Sequence, residues 1–462
     1  MQKLLICISI LFINTMYAQE TDSILSLEEY LGYVKNYHPV VKQAHLMTTE
    51  GEAKLLKARG AFDPKLSVDY SRKKFKGTEY YDKLNTAFKI PTWYGIELSA
   101  KYENNEGYYL NPEYNTPEDG LYSAGISLNL AQGLLTNKRM ATLKQAKLYT
   151  KQVEAKRQLM VNEFLYEAIT TYFNWLKNYQ AKQVYADYVV NAENRLSNVK
   201  KSFFAGEYPA VDTLEASINY KTRLVDYEKA QIGYLKSTLE VSNYLWLENN
   251  IPLEIKDSIV PDVSTIDVID VVLNSSILNS TDEMIENHPK LQELQTKEDI
   301  LTVDRNLKKN NLLPVVNLEY NFLSSEYEHL DAFNTANYKS GLKVVFPLFL
   351  RKERGDLALS NMKLQDIAYD ISVTKVTLKN KIEATIQDIA SYRRQYDILM
   401  DLVVDYKQIV KSEERKFSLG EGSLFLVNYR EAKLIETQLK QIDSEYQVFH
   451  KKSDLLRVLN TL

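Results

Sequence analysis

The chain carries one structural plan twice. Asn36-Tyr37-His38-Pro39 opens a polar helical stretch that closes at Phe62-Asp63-Pro64 and runs into alternating Leu66, Val68 and Tyr70; the same series recurs 250 residues later without a gap. There Asn287-His288-Pro289 opens it, Leu313-Pro314 closes it, and Val316, Leu318 and Tyr320 follow. A second pair of segments aligns at an offset of 216, with Tyr122, Gly125, Ile126, Leu128 and Leu130 against Tyr338, Gly341, Leu342, Val344 and Phe346. Val211, Glu215 and Ala216 keep that offset against Val427, Glu431 and Ala432. Each copy therefore holds a helix, a strand region, a very long helix, a glycine turn and a returning helix. A duplicated order of this kind constrains architecture more than any short motif.

The long helices announce themselves by period. Ile382, Ile386, Ile389, Tyr392, Tyr396, Leu399, Val403, Tyr406, Val410 and Phe417 recur at steps of three and four, interrupted where Glu413 takes a seam position. That 3.5-residue repeat is the seam of supercoiled helices, and Phe164-Leu165, Ile169, Tyr172, Leu176 and Tyr179 follow it more loosely in the first copy. Lys138 to Phe204 is 67 residues and Lys352 to Phe417 is 66. At 1.5 Å per residue each helix is ~100 Å long, well beyond a globular domain.

Two shorter helices end to end match one long one. By length, Glu207–Asn250 is expected to be continued by Pro289–Leu312, and Ser423–Leu462 by Pro39–Phe62, so that a chain presents four columns. Pro39 and Pro289 suit the first helical position, with Asn36 and Asn287 upstream as expected caps. Pro64 and Pro314 turn the chain into extended structure. The strand regions alternate apolar with polar residues at period two, as in Leu66-Ser67-Val68-Asp69-Tyr70. A soluble sandwich and a membrane barrel both produce that pattern. Context favours the barrel, because a strand pair between two ~100 Å helices has no second sheet to pack on, and closure across chains removes its edges. Two strands per copy predict four per chain and twelve for three chains.

The first copy also holds 34 residues that the second lacks, since the offset falls from 250 to 216 between Tyr70 and Tyr122. They include Phe88, Ile90, Pro91, Trp93, Tyr94 and then Ile96, Leu98, Ala100 and Tyr102 at period two. An added hairpin, a lengthened strand and a large extracellular loop all remain open, and a hairpin in the wall would change the strand count.

Composition excludes several classes. Lys3, the apolar run to Ile13 and Met16-Tyr17-Ala18 read as a secretory signal peptide with a mature start at Gln19. The sole cysteine, Cys7, lies in that leader, ahead of most of its apolar run, so disulfides, thiolate metal sites and lipidation are not expected. A net charge of -4 over 462 residues offers nothing to nucleic acid. Glycine (15) and proline (11) are scarce, as long helices require, while 33 tyrosines suit surfaces that pass from apolar to wet. The five histidines form no metal-spaced cluster, although His38 and His45 lie seven apart on one helix face, and no phosphate loop, nucleophile elbow or dinucleotide fingerprint is present. No catalytic residue, cofactor or metal is expected. A soluble periplasmic coiled-coil scaffold or adaptor without a pore is the alternative reading, although an adaptor needs one hairpin in a compact β domain and this chain has two copies with central strands.

The leader, Leu25-Ser26-Leu27-Glu28-Glu29-Tyr30 ahead of a His-Pro helix start, the twice-repeated helix-strand-strand-helix order and a Phe-x-x-Gly turn after each long helix together resemble the TolC-like outer-membrane efflux protein family over residues 25–462. The resemblance implies a mainly α fold with membrane β: a long α-helical barrel of coiled-coil columns plus β-barrel strands, internally duplicated and trimeric. The expected layout is a signal peptide at 1–18; a first repeat at 19–250 with barrel strands about 64–131, a long helix 138–204 and a return helix 207–250; a connector at 251–283; and a second repeat at 284–462 with a helix 289–312, strands about 314–348, a long helix 352–417 and a return helix 423–462.

The resemblance further implies a homotrimer in the outer membrane of a Gram-negative bacterium, in contact with its lipid, with the helical barrel in the periplasm. It implies a passive exit duct for efflux or type I secretion, opened by docking to a periplasmic adaptor and an inner-membrane RND or ABC-type pump. Phe203, Gly206 and Glu207 in one tip, and Phe417, Gly420, Glu421 and Gly422 in the other, match the helix-turn motifs that the adaptor contacts. Glycine suits a tight reversal at positive φ and a close partner backbone. The family places acidic residues in the second copy, six and nine positions after the residue that stands here as Gly422, as rings that narrow the closed pore. Here those positions are Asn428 and Glu431, while the first copy has Asp212 and Glu215, so Glu431 is the better gate candidate and a two-ring constriction is a departure.

Overall fold

The computed structural model describes residues 23–264, 281–329 and 335–462; the leader expected at 1–18 and the middle of the connector lie outside the described residues. In chain order the elements are β1 (Ser23–Leu25), α1 (Leu27–Tyr37), α2 (Pro39–Arg59), β2 (Lys65–Phe75), β3 (Thr78–Pro91), β4 (Ile96–Glu106), β5 (Leu121–Asn129), α3 (Lys138–Phe204), α4 (Ala210–Ser242), β6 (Trp246–Leu247), β7 (Ile251–Pro252), β8 (Ile259–Pro261), α5 (Thr281–Glu286), α6 (Pro289–Asn310), β9 (Val315–Ser324), β10 (Tyr338–Val345), α7 (Arg351–Ser418) and α8 (Leu424–Leu459). The fold is mainly helical, with a β-sheet at one end. Helix α3 has 67 residues and α7 has 68, each ~100 Å. Neither contains proline and only Gly355 interrupts α7, so nothing in either breaks the hydrogen-bond ladder.

The helices form a layer of columns. Both α2 and α4 pack on α3; α6 and α8 pack between α3 and α7. The order is therefore α2 with α4, then α3, then α6 with α8, then α7. This corrects the stacking expected from length: α4 is continued by α2, and α8 by α6, so each repeat completes its own broken column. The break itself supplies the reason. His38 caps α2 by accepting from Val40 N–H through Nδ1 at 3.1 Å, and its Nε2 lies 3.3 Å from Asn243 O at the end of α4. His288 repeats this, with Nδ1 accepting from Lys290 N–H and Nε2 2.9 Å from Val458 O of α8. The caps are thus the histidines, in place of Asn36 and Asn287. With both ring nitrogens engaged, His38 is no metal partner for His45, and no cluster of potential metal ligands occurs among the described residues.

The largest core surrounds the α4–α2 break, while Ile285, Leu291, Ile382, Val458 and Leu459 form a smaller one at the α8–α6 break. Tyr30, Val34, Phe164, Tyr172, Trp175 and Phe449 pack in the larger, joining α1, α3, the ends of α4 and α8, and the parallel pair β1–β8. Helix α4 ends at Ser242, short of the expected Asn250, because Leu245 and Leu253 share a backbone bond, β6 pairs with β7, and Asn249 and Asn250 adopt positive φ.

The sheet has six strands in the order β10-β9-β5-β4-β3-β2, and every neighbouring pair is antiparallel. Four strands were expected. The 34-residue insert holds the hairpin β3–β4, which enters the sheet between β2 and β5. Registered pairs share a face, so one face carries Val68, Leu84, Leu98, Ile126, Tyr320 and Leu342, and the other carries Asp69, Asn85, Lys101, Ser127, Glu319 and Lys343. Among the described residues no helix is long and apolar enough to cross a membrane.

Candidate functional site: the paired helical tips

Both long helices reverse through the same turn. At the end of α3, Gly206 N–H donates to Phe203 O at 3.0 Å and Glu207 N–H to Ser202 O at 2.9 Å; at the end of α7, Gly420 N–H donates to Phe417 O and Glu421 N–H to Lys416 O, both at 3.0 Å. Gly206 has φ 82° and Gly420 has φ 78°, left-handed values that suit glycine, and a Cβ at either position would meet nothing within 4 Å. Their requirement is conformational. Gly422 differs, since a Cβ there would lie 2.9 Å from Phe417 N.

The two tips are joined to each other. Tyr208 stacks on Phe417 at 5.1 Å, and both lie over Leu196, Val199, Ala216 and Leu424. Phe417 is thus part of the joint. The exposed apolar surface is carried instead by Phe204 (84% exposed), Leu419 and Phe425, beside a less exposed Phe203 and the exposed Glu207 and Glu421. Large apolar side chains are thus left exposed to solvent at the end of a ~100 Å stalk.

Behind the tips all four columns meet in one charged cluster around Glu431. Glu431 of α8 is 1% exposed, accepts from Arg195 of α3 at 2.5 Å, and lies 3.5 Å from Arg223 of α4. Arg195 also reaches Glu414 of α7 at 3.0 Å and Asn428 at 3.3 Å. Asn428 in turn donates to Glu215 of α4 at 3.1 Å. Burial, helped by the Glu431 charge, pushes the Tyr188 hydroxyl up to about 12. Asp212, in the first turn of α4, is half-buried and outside the cluster's hydrogen bonds.

This geometry differs from the expected pore ring. The Glu431 carboxylate is enclosed within its own chain and paired with two guanidinium groups, so it does not stand free toward a lumen. A buried acid between two arginines ties helix to helix, and removing one member leaves uncompensated charge. The cluster brings Glu431, Asn428 and Glu215 together and leaves Asp212 aside. Arg195 and Arg223 carry no signal in the sequence, whereas Phe204 lies inside the Phe-x-x-Gly motif as one of its unspecified positions.

No protein-family model matches the chain, and no curated protein matches it. Solved structures do. The Campylobacter jejuni CmeC outer membrane channel superposes with a TM-score of 0.66 at 14% identity, covering 94% of this chain and 85% of that one. The outer membrane protein VceC from Vibrio cholerae gives 0.65 at 11%, covering 93% and 95%, and the open state of the Neisseria gonorrhoeae MtrE outer membrane channel gives 0.65 at 11%, covering 94% and 88%. Likeness at these identities speaks to fold: the chain has the TolC-like outer-membrane channel fold.

Proposed function

We propose that the chain is the outer-membrane exit duct of an efflux or type I secretion system, closed into a tube by three copies. The observation that carries this reading is the sheet with one apolar and one polar face set on ~100 Å helical columns, since apolar residues toward lipid and polar residues toward a wet lumen are what a membrane barrel needs. The edge columns of the helical layer support assembly. On α4, Val211, Leu214, Ile218, Val225, Ile232 and Leu239 are exposed at heptad spacing; on the opposite edge, α7 exposes Leu359, Met362, Tyr369, Val373 and Val376. Unlike edges that pair head to tail make rings when the rotation closes.

In this reading the tips, with Phe204, Leu419 and Phe425 around Gly206 and Gly420, receive a periplasmic adaptor that couples the duct to an inner-membrane pump. The Glu431 cluster serves as a lock between the hairpins α3–α4 and α7–α8, and docking opens the duct by separating them. No catalytic step is needed for such a conduit. Fractionation and planar-bilayer recording test the proposal: the chain partitions with outer membrane, needs detergent for extraction and conducts ions. Release by a salt or osmotic wash, without conductance, overturns it in favour of a soluble scaffold. Glu431→Gln raises open probability if the lock holds the closed state.

A further inference from the structure

The sheet has two open edges. Every residue of β2 and of β10 is exposed, whereas the strands between them are largely half-buried. Long exposed edges with unpaired backbone groups call for a partner. We infer that β2 of one copy pairs antiparallel with β10 of the next, so that three copies close an 18-stranded barrel; this rests on the three-copy duct proposed above and departs from twelve strands.

Direction is the first requirement. All five pairings alternate, so the outermost strands β2 and β10 run oppositely, and joining them continues the alternation around the ring.

Stagger is the second. One row of registered partners runs Lys65, Lys89, Ser99, Gly125, Asn321, Lys339. Measured from that row, the strand ends nearest the helices step down steadily: β3 ends at Pro91, two residues beyond; β4 starts at Ile96, three; β5 ends at Asn129, four; β9 starts at Val315 and β10 ends at Val345, six. The strands are therefore inclined to the boundary with the helices. Closing the ring level at that boundary sets Lys65 opposite Val345. Six residues of stagger at ~3.3 Å over six strand spacings of ~4.8 Å is a tilt of about 35°, within the range that barrels adopt.

Chemistry is the third. In this register Leu66 meets Val344 and Val68 meets Leu342 on the apolar face. On the polar face Asp69 stands opposite Gly341, between Lys339 and Lys343. Apolar and opposite-charge neighbours are the pairs that stabilise adjoining strands.

Width is the fourth. Six strands at this tilt span about 35 Å of arc, close to the ~36 Å of four helical columns at about 9 Å, whereas four strands would span about 23 Å. The inserted hairpin therefore matches the sheet to the helical wall. The ring is about 34 Å across between backbones, so the membrane section is as wide as the tube below it.

Cysteine pairs test the closure in the full-length protein, with Cys7→Ser removing the native cysteine. Ser67→Cys with Lys343→Cys, oxidised in membranes, is expected to give a reducible ladder ending at three chain lengths. Within one chain these edges are about 24 Å apart, too far for a disulfide. Leu66→Cys with Val344→Cys repeats the test one position along, should the first pair impair insertion. A ladder ending at two overturns the 18-stranded barrel. Bilayer conductance without a ladder from either pair overturns the edge closure and leaves the duct standing. Failure both to insert and to link removes the duct reading and this inference with it.

Discussion

Glu215 and Glu431 occupy equivalent places in the two repeats, 216 residues apart, yet they live differently. Glu431 is enclosed by Arg195 and Arg223; Glu215 is half-buried and accepts one bond from the Asn428 amide. The position that corresponds to Arg223 in the second repeat is Leu439, so no mirror of the cluster can form. The tips and helix breaks, in contrast, are built alike in both copies. Duplication has preserved backbone requirements, where a left-handed turn or a cap leaves few choices, and has let side-chain networks and the sheet diverge.

The sharpest way to break this comparison is to neutralise the two acids separately. Glu431→Gln leaves two buried guanidinium groups short of a counter-charge and is expected to cost about 3–5 kcal/mol, read as a lowered unfolding midpoint in detergent. Glu215→Gln is expected to cost about 1 kcal/mol or less. Equal losses would mean that the repeats are alike here after all.

The tips should respond in parallel. Gly206→Ala and Gly420→Ala each force an alanine into the left-handed region with no steric neighbour, so both are expected to lose about 1–2 kcal/mol and to agree with each other. A markedly larger loss at one would reveal a packing role that the geometry lacks.

The sequence discloses the long helices and the tip glycines because a 3.5-residue seam and a Phe-x-x-Gly stop are local signals. It does not disclose which short helix continues which column, since Pro39–Phe62 and Pro289–Leu312 have equal length and either fits. Packing between helices far apart in sequence and the Nε2 contacts of His38 and His288 decide it. The insert showed period two at Ile96, Leu98, Ala100 and Tyr102, but whether a strand joins a wall depends on its neighbours' edges. The Arg195–Glu431 pair spans 236 residues, beyond the reach of any pattern along the chain.

Smaller effects belong to the caps. Burial lowers both His38 and His288 from the ordinary 6.5, although the carbonyls beside Nε2 oppose this. As pH falls, the unfolded chain takes up protons before the folded one. The stabilisation is therefore complete above about pH 6.5 and is lost progressively as pH drops through the folded values. His38→Ala and His288→Ala should each cost about 1 kcal/mol at neutral pH, and the double variant should flatten the stability profile between about pH 7 and 5. Smallest of all, Phe204→Ser should leave stability within about 0.5 kcal/mol while reducing export by cells that depend on the duct.

The alternation of columns has an electrical consequence. Helices α3 and α7 run from sheet to tip, and the stacked pairs α4 with α2 and α8 with α6 run from tip to sheet. Peptide dipoles in neighbouring columns therefore oppose and cancel along the axis. In the duct proposed above, a solute travelling the length of the tube would meet no backbone field driving it in either direction, and its passage would be governed by the side chains it passes.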